Sequence, residues 1–173
     1  MTTPISRRQF LRGRLSTKHS SIRPPWAIEE KDFLERCSRC GDCVDACEED
    51  VIRSDSGYPI IDFSNSGCSF CGDCATACDA GAIRQTQTPA WPYAVKIEPA
   101  QCLAQQGVVC QVCSEQCDSG AIRISLTVAA VPTPVINETQ CTACGYCIAT
   151  CPGNALSINT SYRQQPQKEA LCM

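Results

Sequence analysis

The stretch that decides the fold runs from Cys37 to Cys47 and reads CSRCGDCVDAC. Its cysteines follow the spacing C-x2-C-x2-C-x3-C, and the same spacing returns at residues 68–78 and 141–151. A fourth run, at residues 102–117, reads C-x7-C-x2-C-x3-C and lengthens only the first gap. Of the 17 cysteines, all but Cys172 fall into these runs: Cys37, Cys40, Cys43, Cys47; Cys68, Cys71, Cys74, Cys78; Cys102, Cys110, Cys113, Cys117; and Cys141, Cys144, Cys147, Cys151.

A short tail repeats after every run. A small or branched apolar residue stands four positions after the last cysteine, and isoleucine or leucine stands five positions after it, at Ile52, Ile83, Ile122 and Leu156. This repeat predicts a turn that places the second apolar residue against a metal site. Short strands are predicted before the later runs, at residues 58–63, 94–97 and 134–136. Strand, cysteine loop, short helical turn and strand then form one unit.

The spacing suits an iron–sulfur cube. A tight loop with two-residue gaps reaches three irons, and in two-cluster proteins the fourth cysteine of one run binds the other cluster. We therefore predict up to four [4Fe–4S] clusters. The predicted sets are Cys37, Cys40, Cys43 and Cys78 (site one); Cys68, Cys71, Cys74 and Cys47 (site two); Cys102, Cys110, Cys113 and Cys151 (site three); and Cys141, Cys144, Cys147 and Cys117 (site four). The longer gap leaves site three open between a full cluster and an incomplete or differently ligated one.

The chain needs metal or disulfides to fold. Leu, Ile, Val and Phe make up only about a fifth of its residues, close to the level below which chains tend to stay disordered. Zinc ribbons use two C-x2-C pairs rather than triplets, and a disulfide scaffold needs an export signal. Iron–sulfur clusters are therefore favoured, with a zinc-stabilised structural adaptor as the alternative of another class.

The predicted fold is α+β, with two tandem bacterial-ferredoxin-like modules of short strands and short helical turns. The predicted domains are a flexible basic tail (1–30), a first two-cluster module (31–85), a linker (86–93), a second module (94–160) and a C-terminal tail (161–173). The sequence QTQTPAWP at residues 85–92 is polar and contains proline, as linkers do. Neither module can bury much apolar surface at this size, so the clusters must act as the core.

Charge separates the N-terminus from the rest. Residues 1–36 carry eight Lys and Arg against four Asp and Glu, while the remainder carries seven against 14. Each cluster with its four thiolates adds roughly two negative charges. An acidic body excludes nucleic acid as a partner and favours a basic face on a redox protein. No apolar run is long enough for a membrane span, and no catalytic motif is visible, so we expect an electron-transfer protein and not an enzyme.

The N-terminus begins like a twin-arginine export signal but lacks its apolar stretch. Ser6-Arg7-Arg8 is followed by polar and basic residues at 13–21, where an export signal has 7–15 apolar residues. We therefore expect a cytoplasmic location.

The whole order of features resembles the NapF family of ferredoxin-type proteins, accessory proteins of the periplasmic nitrate reductase system. The resemblance rests on the Ser6-Arg7-Arg8 start, IRPPW at residues 22–26, CSFC at residues 68–71, and Cys102-Leu103-Ala104 opening the stretched run. It implies a cytoplasmic maturation protein that contacts the precursor of the catalytic subunit and helps to insert or reduce that subunit's own cluster. A redox donor is a second implied partner, and Arg7, Arg8 and Trp26 are candidate partner-binding residues. The rival function is a general electron-transfer polyferredoxin that serves another oxidoreductase.

Overall fold

The computed structural model describes residues 22–86, 91–125 and 131–160. Its helices are α1 Glu30–Arg36, α2 Asp42–Asp45, α3 Asp73–Thr76, α4 Val112–Glu115 and α5 Tyr146–Ala149, with a 3-10 helix at Ala104–Gln106. Its strands are β1 Ile52–Asp55, β2 Tyr58–Ile61, β3 Ala94–Ile97, β4 Ile122–Ser125, β5 Thr133–Ile136 and β6 Leu156–Asn159. Helices and strands alternate as short pieces, and the predicted α+β class is confirmed.

Each module has a hairpin between its two cysteine runs. Strands β1 and β2 pair antiparallel from Ile52 opposite Ile61 to Asp55 opposite Tyr58. The two turn residues, Ser56 and Gly57, have φ of 53° and 85°, as in a two-residue turn that matches the twist of the flanking strands. Strands β4 and β5 pair in the same way in the second module.

A second pairing closes each module by joining its beginning to its end. In the second module this pairing is the antiparallel ladder of β3 and β6. In the first module it is reduced to a single bridge between Ala27 and Ile83, with Ile28 N–H donating to the Ala82 carbonyl at 3.0 Å. Residues 27 and 28 thus pair with the end of the first module, and the tail boundary at residue 30 stays a prediction.

Arg23 explains why this segment is fixed. Its guanidinium donates to the Glu30 carboxylate at 2.7 and 2.9 Å and to the Pro59 carbonyl at 3.0 Å. The Arg23 carbonyl in turn accepts a hydrogen bond of 3.0 Å from Nε1 of Trp91. The buried Trp91 thus packs into the first module although the sequence assigns it to the linker. Residues 1–21, 87–90 and 161–173 of the predicted tails and linker lie outside the described residues.

The apolar core is divided between the modules. In the first module it centres on Phe33, Val51, Ile52 and Ile83. In the second it centres on Ala94, Val95, Ala121 and Ile122. Buried cysteines belong to both cores, so the thiols form part of the packed interior.

The modules contact each other through their second and fourth cysteine runs. Cys68 N–H donates to the Cys144 carbonyl at 2.7 Å. Gly67 lies so close to Tyr146 that an added Cβ would stand 2.6 Å from the Tyr146 backbone nitrogen, and a Cβ added at Gly145 would overlap the ring of Phe63. Two glycines thus allow the loops around two predicted sites to touch.

Candidate iron–sulfur sites

Left-handed residues shape the three regular cysteine loops. A glycine directly after the second cysteine begins each helical turn, with φ of 94°, 92° and 88° at Gly41, Gly72 and Gly145. Glycine adopts this conformation without the steric cost that a Cβ brings. The residue just before the second cysteine is also left-handed, at Arg39, Phe70 and Ala143. The paired reversals curl each loop so that its first three thiols face one side.

The third cysteine of every run is held inside a helical turn. Cys43, Cys74, Cys113 and Cys147 lie within α2, α3, α4 and α5 and are between 6 and 9 % exposed. The turn keeps this thiol buried in each site.

The stretched run at residues 102–117 also buries its first and third thiols, but with a different loop structure. Its longer gap contains the 3-10 helix, followed by Gly107 with φ of 88°, and the residue before α4 is Gln111 rather than glycine. Cys102 nevertheless lies buried at 8 % exposure. The five additional residues in this gap thus leave the first thiol of the run inside the module.

A tight turn follows every run. The residue three positions after the last cysteine is left-handed and donates its N–H to that cysteine's carbonyl, at 2.9 to 3.1 Å. These residues are Asp50, Gly81, Gly120 and Asn154. Glycine, asparagine and aspartate are the residues that tolerate this conformation best. The apolar pair that the repeat predicts then turns inward and is buried in all four units.

The thiols surround four cavities, and each cavity combines two runs. Three cysteines of one run and the last cysteine of its neighbour line each one, together with the apolar residue that follows that last cysteine. The groups are Cys37, Cys40, Cys43, Cys78 and Ile83; Cys68, Cys71, Cys74, Cys47 and Ile52; Cys102, Cys110, Cys113, Cys151 and Leu156; and Cys141, Cys144, Cys147, Cys117 and Ile122. The structure therefore brings together each of the four predicted sets, the stretched one included.

The cavities disfavour bare thiolates. Burial, and after it the neighbouring thiolates, raises the pKa of Cys43 and Cys113 to about 11 and that of Cys74 to about 12. The pKa of Cys147 is raised for the same reasons. Positive charge placed beside these buried thiols, as iron provides, favours their thiolate form.

Backbone N–H groups point at several of the sulfurs. Cys68 Sγ accepts from Phe70 N–H at 3.4 Å, Cys78 Sγ from Ile83 N–H at 3.4 Å, and Cys151 Sγ from Ala155 N–H at 3.3 Å. Such donors stabilise sulfur that carries negative charge, and hydrogen bonds to the sulfurs help to set the potentials of iron–sulfur clusters. The donor set thus fits a [4Fe–4S] cluster: four thiols, apolar walls and N–H groups aimed at sulfur.

The predicted partner-binding residues have different outcomes. Arg7 and Arg8 lie outside the described residues. Trp26 is half-buried, lines site two and packs edge-on against Phe70 with ring centres 6.2 Å apart. Sequence reasoning placed Trp26 on a free tail and missed this contact. The two prolines before it, Pro24 and Pro25, were the available signal, because they stiffen the chain and are fully buried here.

Tyr146 lies at the contact between the two modules, and burial there changes its pKa. Desolvation, and after it the nearby Glu49 carboxylate of the first module, raises the pKa of Tyr146 to about 12. Nothing in the sequence singled out either residue.

Comparison with known proteins places this arrangement in a class. The family model described as 4Fe-4S dicluster domain matches residues 36–82, and the model described as 4Fe-4S binding domain matches residues 134–157. Together with the fold and the thiol sets, these matches define a bacterial ferredoxin-type protein that binds [4Fe–4S] clusters, as the cysteine spacing predicted.

Full-length relatives narrow the class to a family. The chain is 36 % identical to the ferredoxin-type protein NapF of Haemophilus influenzae, with 90 % of this chain and 94 % of the relative covered. It is 39 % identical to the ferredoxin-type protein NapF of Escherichia coli K12, with 91 and 96 % covered. A shorter match, 43 % identical over 44 residues, reaches the methylamine utilization ferredoxin-type protein MauM of Methylobacillus flagellatus. The chain belongs to the NapF family of ferredoxin-type proteins, and the resemblance seen in its sequence is confirmed.

Among the described residues, no helix is both long and apolar enough to cross a membrane.

Proposed function

We propose that the sixteen grouped cysteines hold four [4Fe–4S] clusters in the crossed sets. We further propose that the loaded chain acts in the cytoplasm on the catalytic subunit of a periplasmic nitrate reductase, before that subunit is exported. There it assists the insertion or reduction of the subunit's own cluster and is not itself an enzyme. In this proposal the N-terminal arginines Arg7 and Arg8 help to dock the precursor.

The observation that carries the first part is the set of four cavities, each lined by four thiols from two runs. The second part is supported by the likeness to NapF proteins over nine-tenths of the chain.

When bound, clusters of this kind supply one-electron transfer at low potential. The chain's own residues hold and shield them. Buried cysteines fix the irons, isoleucine and leucine side chains keep water from the sulfurs, and N–H groups offset their negative charge. Cys40 and Cys71 are the exposed thiols of sites one and two, and they mark the side of each site that a partner can approach.

Metal analysis tests the first part. Four filled sites give about 16 iron and about 16 acid-labile sulfide per chain in protein purified without air, whereas a zinc-stabilised adaptor gives about four zinc and no sulfide. About 12 iron would leave one set empty, and the Cys110→Ser variant then identifies site three as that set if it loses no further iron.

A binding assay tests the second part. The loaded chain is titrated with the catalytic subunit of the nitrate reductase in its unexported precursor form and, separately, in its mature form. The maturation role predicts at least tenfold tighter binding of the precursor. Equal binding of both forms, or binding of neither, would favour the general electron carrier.

A further inference from the structure

The indole N–H of Trp26 is a buried hydrogen-bond donor without an acceptor among the described protein atoms. Its Nε1 is buried and is the one side-chain nitrogen or oxygen, among the buried ones in the described ranges, that has no hydrogen-bond partner. A buried donor left unpaired costs about 1–3 kcal/mol, and such groups are few in folded proteins. This one therefore needs an acceptor that the protein atoms do not supply.

The surroundings of the indole indicate what that acceptor is. Trp26 lines site two beside Cys47, Cys68, Cys71 and Cys74. The hydrogen-bond acceptors that a bound cluster brings into this cavity are its sulfides and the thiolates that hold it.

The backbone holds the indole at this place against a steric cost. Trp26 has φ of 60°, which is unusual for a large side chain. Its carbonyl accepts a hydrogen bond of 3.0 Å from Arg84 N–H, and the next residue, Ala27, donates to the Pro24 carbonyl at 3.2 Å. Strained residues of this kind persist where the surrounding structure fixes them, and they cluster at functional sites.

We propose that Trp26 is a positioning residue for site two, whose Nε1–H donates a hydrogen bond to a sulfur of the bound cluster or its thiolates and thereby raises that cluster's reduction potential. Reduction adds one electron and one negative charge to the cluster, and a donor aimed at sulfur stabilises the more negative form. This inference rests on the proposed ligand set of site two.

Trp91 provides a matched control, since the chain has only two tryptophans. Trp91 lies in the same module, its ring packs against Phe63 and Phe70, and its Nε1–H is already bonded to the Arg23 carbonyl. Replacing either tryptophan with phenylalanine keeps an aromatic ring and removes one N–H.

The test is a redox titration of the loaded full-length chain, with dithionite as the electron donor and paramagnetic resonance as the readout. The signal of site two is identified as the one that Cys71→Ser removes. In Trp26→Phe we expect the reduction equilibrium of that cluster to become about tenfold less favourable, which is about 59 mV for one electron. In Trp91→Phe we expect no change. An unchanged potential in Trp26→Phe, or an equal shift in both variants, overturns the inference.

Loss of the cluster in Trp26→Phe would leave that titration without a signal, so a second measurement uses Trp91→Phe. This variant keeps Trp26 as its single tryptophan and is grown with 15N-labelled indole. Pulsed paramagnetic resonance on the reduced protein should show a hyperfine coupling between the 15N nucleus of Trp26 and the cluster of site two. Absence of this coupling overturns the inference. A wild-type chain with full iron at the other sites and none at site two would instead contradict the proposed ligand set.

Discussion

Arg23 shows how single side chains extend the first module beyond its cysteines. One guanidinium joins the segment before α1 to Glu30 and to strand β2, and the rings of Phe33 and Tyr58 lie 4.9 and 5.4 Å from it. The Glu30 side chain is 54 % exposed, and exposed ion pairs contribute little. The greater part of the effect therefore comes from the Pro59 carbonyl, which loses its donor if Arg23 is removed.

We expect Arg23→Ala to destabilise the loaded protein by about 1–3 kcal/mol, the cost of a buried hydrogen bond left unmade. Bleaching of the visible cluster absorbance in guanidinium, measured without air, should then move to lower denaturant. The control is Arg53→Ala, which removes an exposed pair with Asp50 and should shift the curve by less than half as much. Equal shifts in the two variants would show that Arg23 acts only through its charge.

Residue identity predicted the thiols but not the backbone around them. The cysteine spacing was sufficient to group all sixteen ligand candidates, because the spacing can be read directly from the sequence without knowledge of the fold. The left-handed conformation of Arg39, Phe70 and Ala143 was not foreseeable, since these residue types do not prefer it. It follows from closing the loop around a site, which no single residue encodes.

Within a module, the last cysteine of each run lines the cavity of the neighbouring run, and this exchange connects the two runs. Cys78 follows α3 in the second run yet lines the cavity of the first, and Cys47 does the reverse. The turn after each run places an isoleucine or leucine in the same cavity as the last cysteine of that run, so both residues line the cavity of the neighbouring run.

Substitution of single cysteines tests this crossing. We expect Cys78→Ser to remove the same paramagnetic signal as Cys37→Ser and about four iron, because both thiols face site one. Cys47→Ser should instead remove the signal that Cys68→Ser removes. If Cys78→Ser eliminates the signal of its own run, each run binds its cluster unaided and the crossed sets are wrong.

A strand of several residues, such as β3, could be predicted from the sequence, whereas a one-residue bridge and a three-residue helix could not. Strand β3 lies where the sequence placed it, at Ala94–Ile97. The bridge at Ala27 was missed because a pairing of one residue leaves no alternating pattern. The 3-10 helix in the stretched run was missed for a related reason, since three residues are too few for a helical period.

At the scale of the whole molecule, the contact between modules depends on two positions without side chains. Gly67 and Gly145 lie against Tyr146 and Phe63, and the backbone N–H of Cys68 donates a hydrogen bond to the Cys144 carbonyl. A glycine in a loop has many causes, and its partner lies far away in sequence. The relative placement of the modules was for that reason beyond prediction from a single sequence.

Gly145→Ala should weaken this contact, because its Cβ would overlap the Phe63 ring. Overpacking of this kind costs about 1–3 kcal/mol, in addition to the strain of a left-handed alanine. Gly41→Ala is the matched control: it occupies the same loop position in the first run, with φ of 94°, and its Cβ would meet nothing within 4 Å. We expect cluster bleaching in guanidinium to be faster in Gly145→Ala than in Gly41→Ala. Equal rates would mean that the junction contributes nothing to stability.

The exchange of last cysteines also sets when a module is ready during synthesis. In the proposed ligand sets, a nascent chain that has left the ribosome as far as Cys43 carries three thiols of site one, and the fourth thiol arrives only with Cys78. Site two is completed at Cys74, four residues earlier, and the second module repeats this timing at Cys147 and Cys151. With these proposed sets, the four thiols of both sites in a module become complete almost together, at the end of that module's translation.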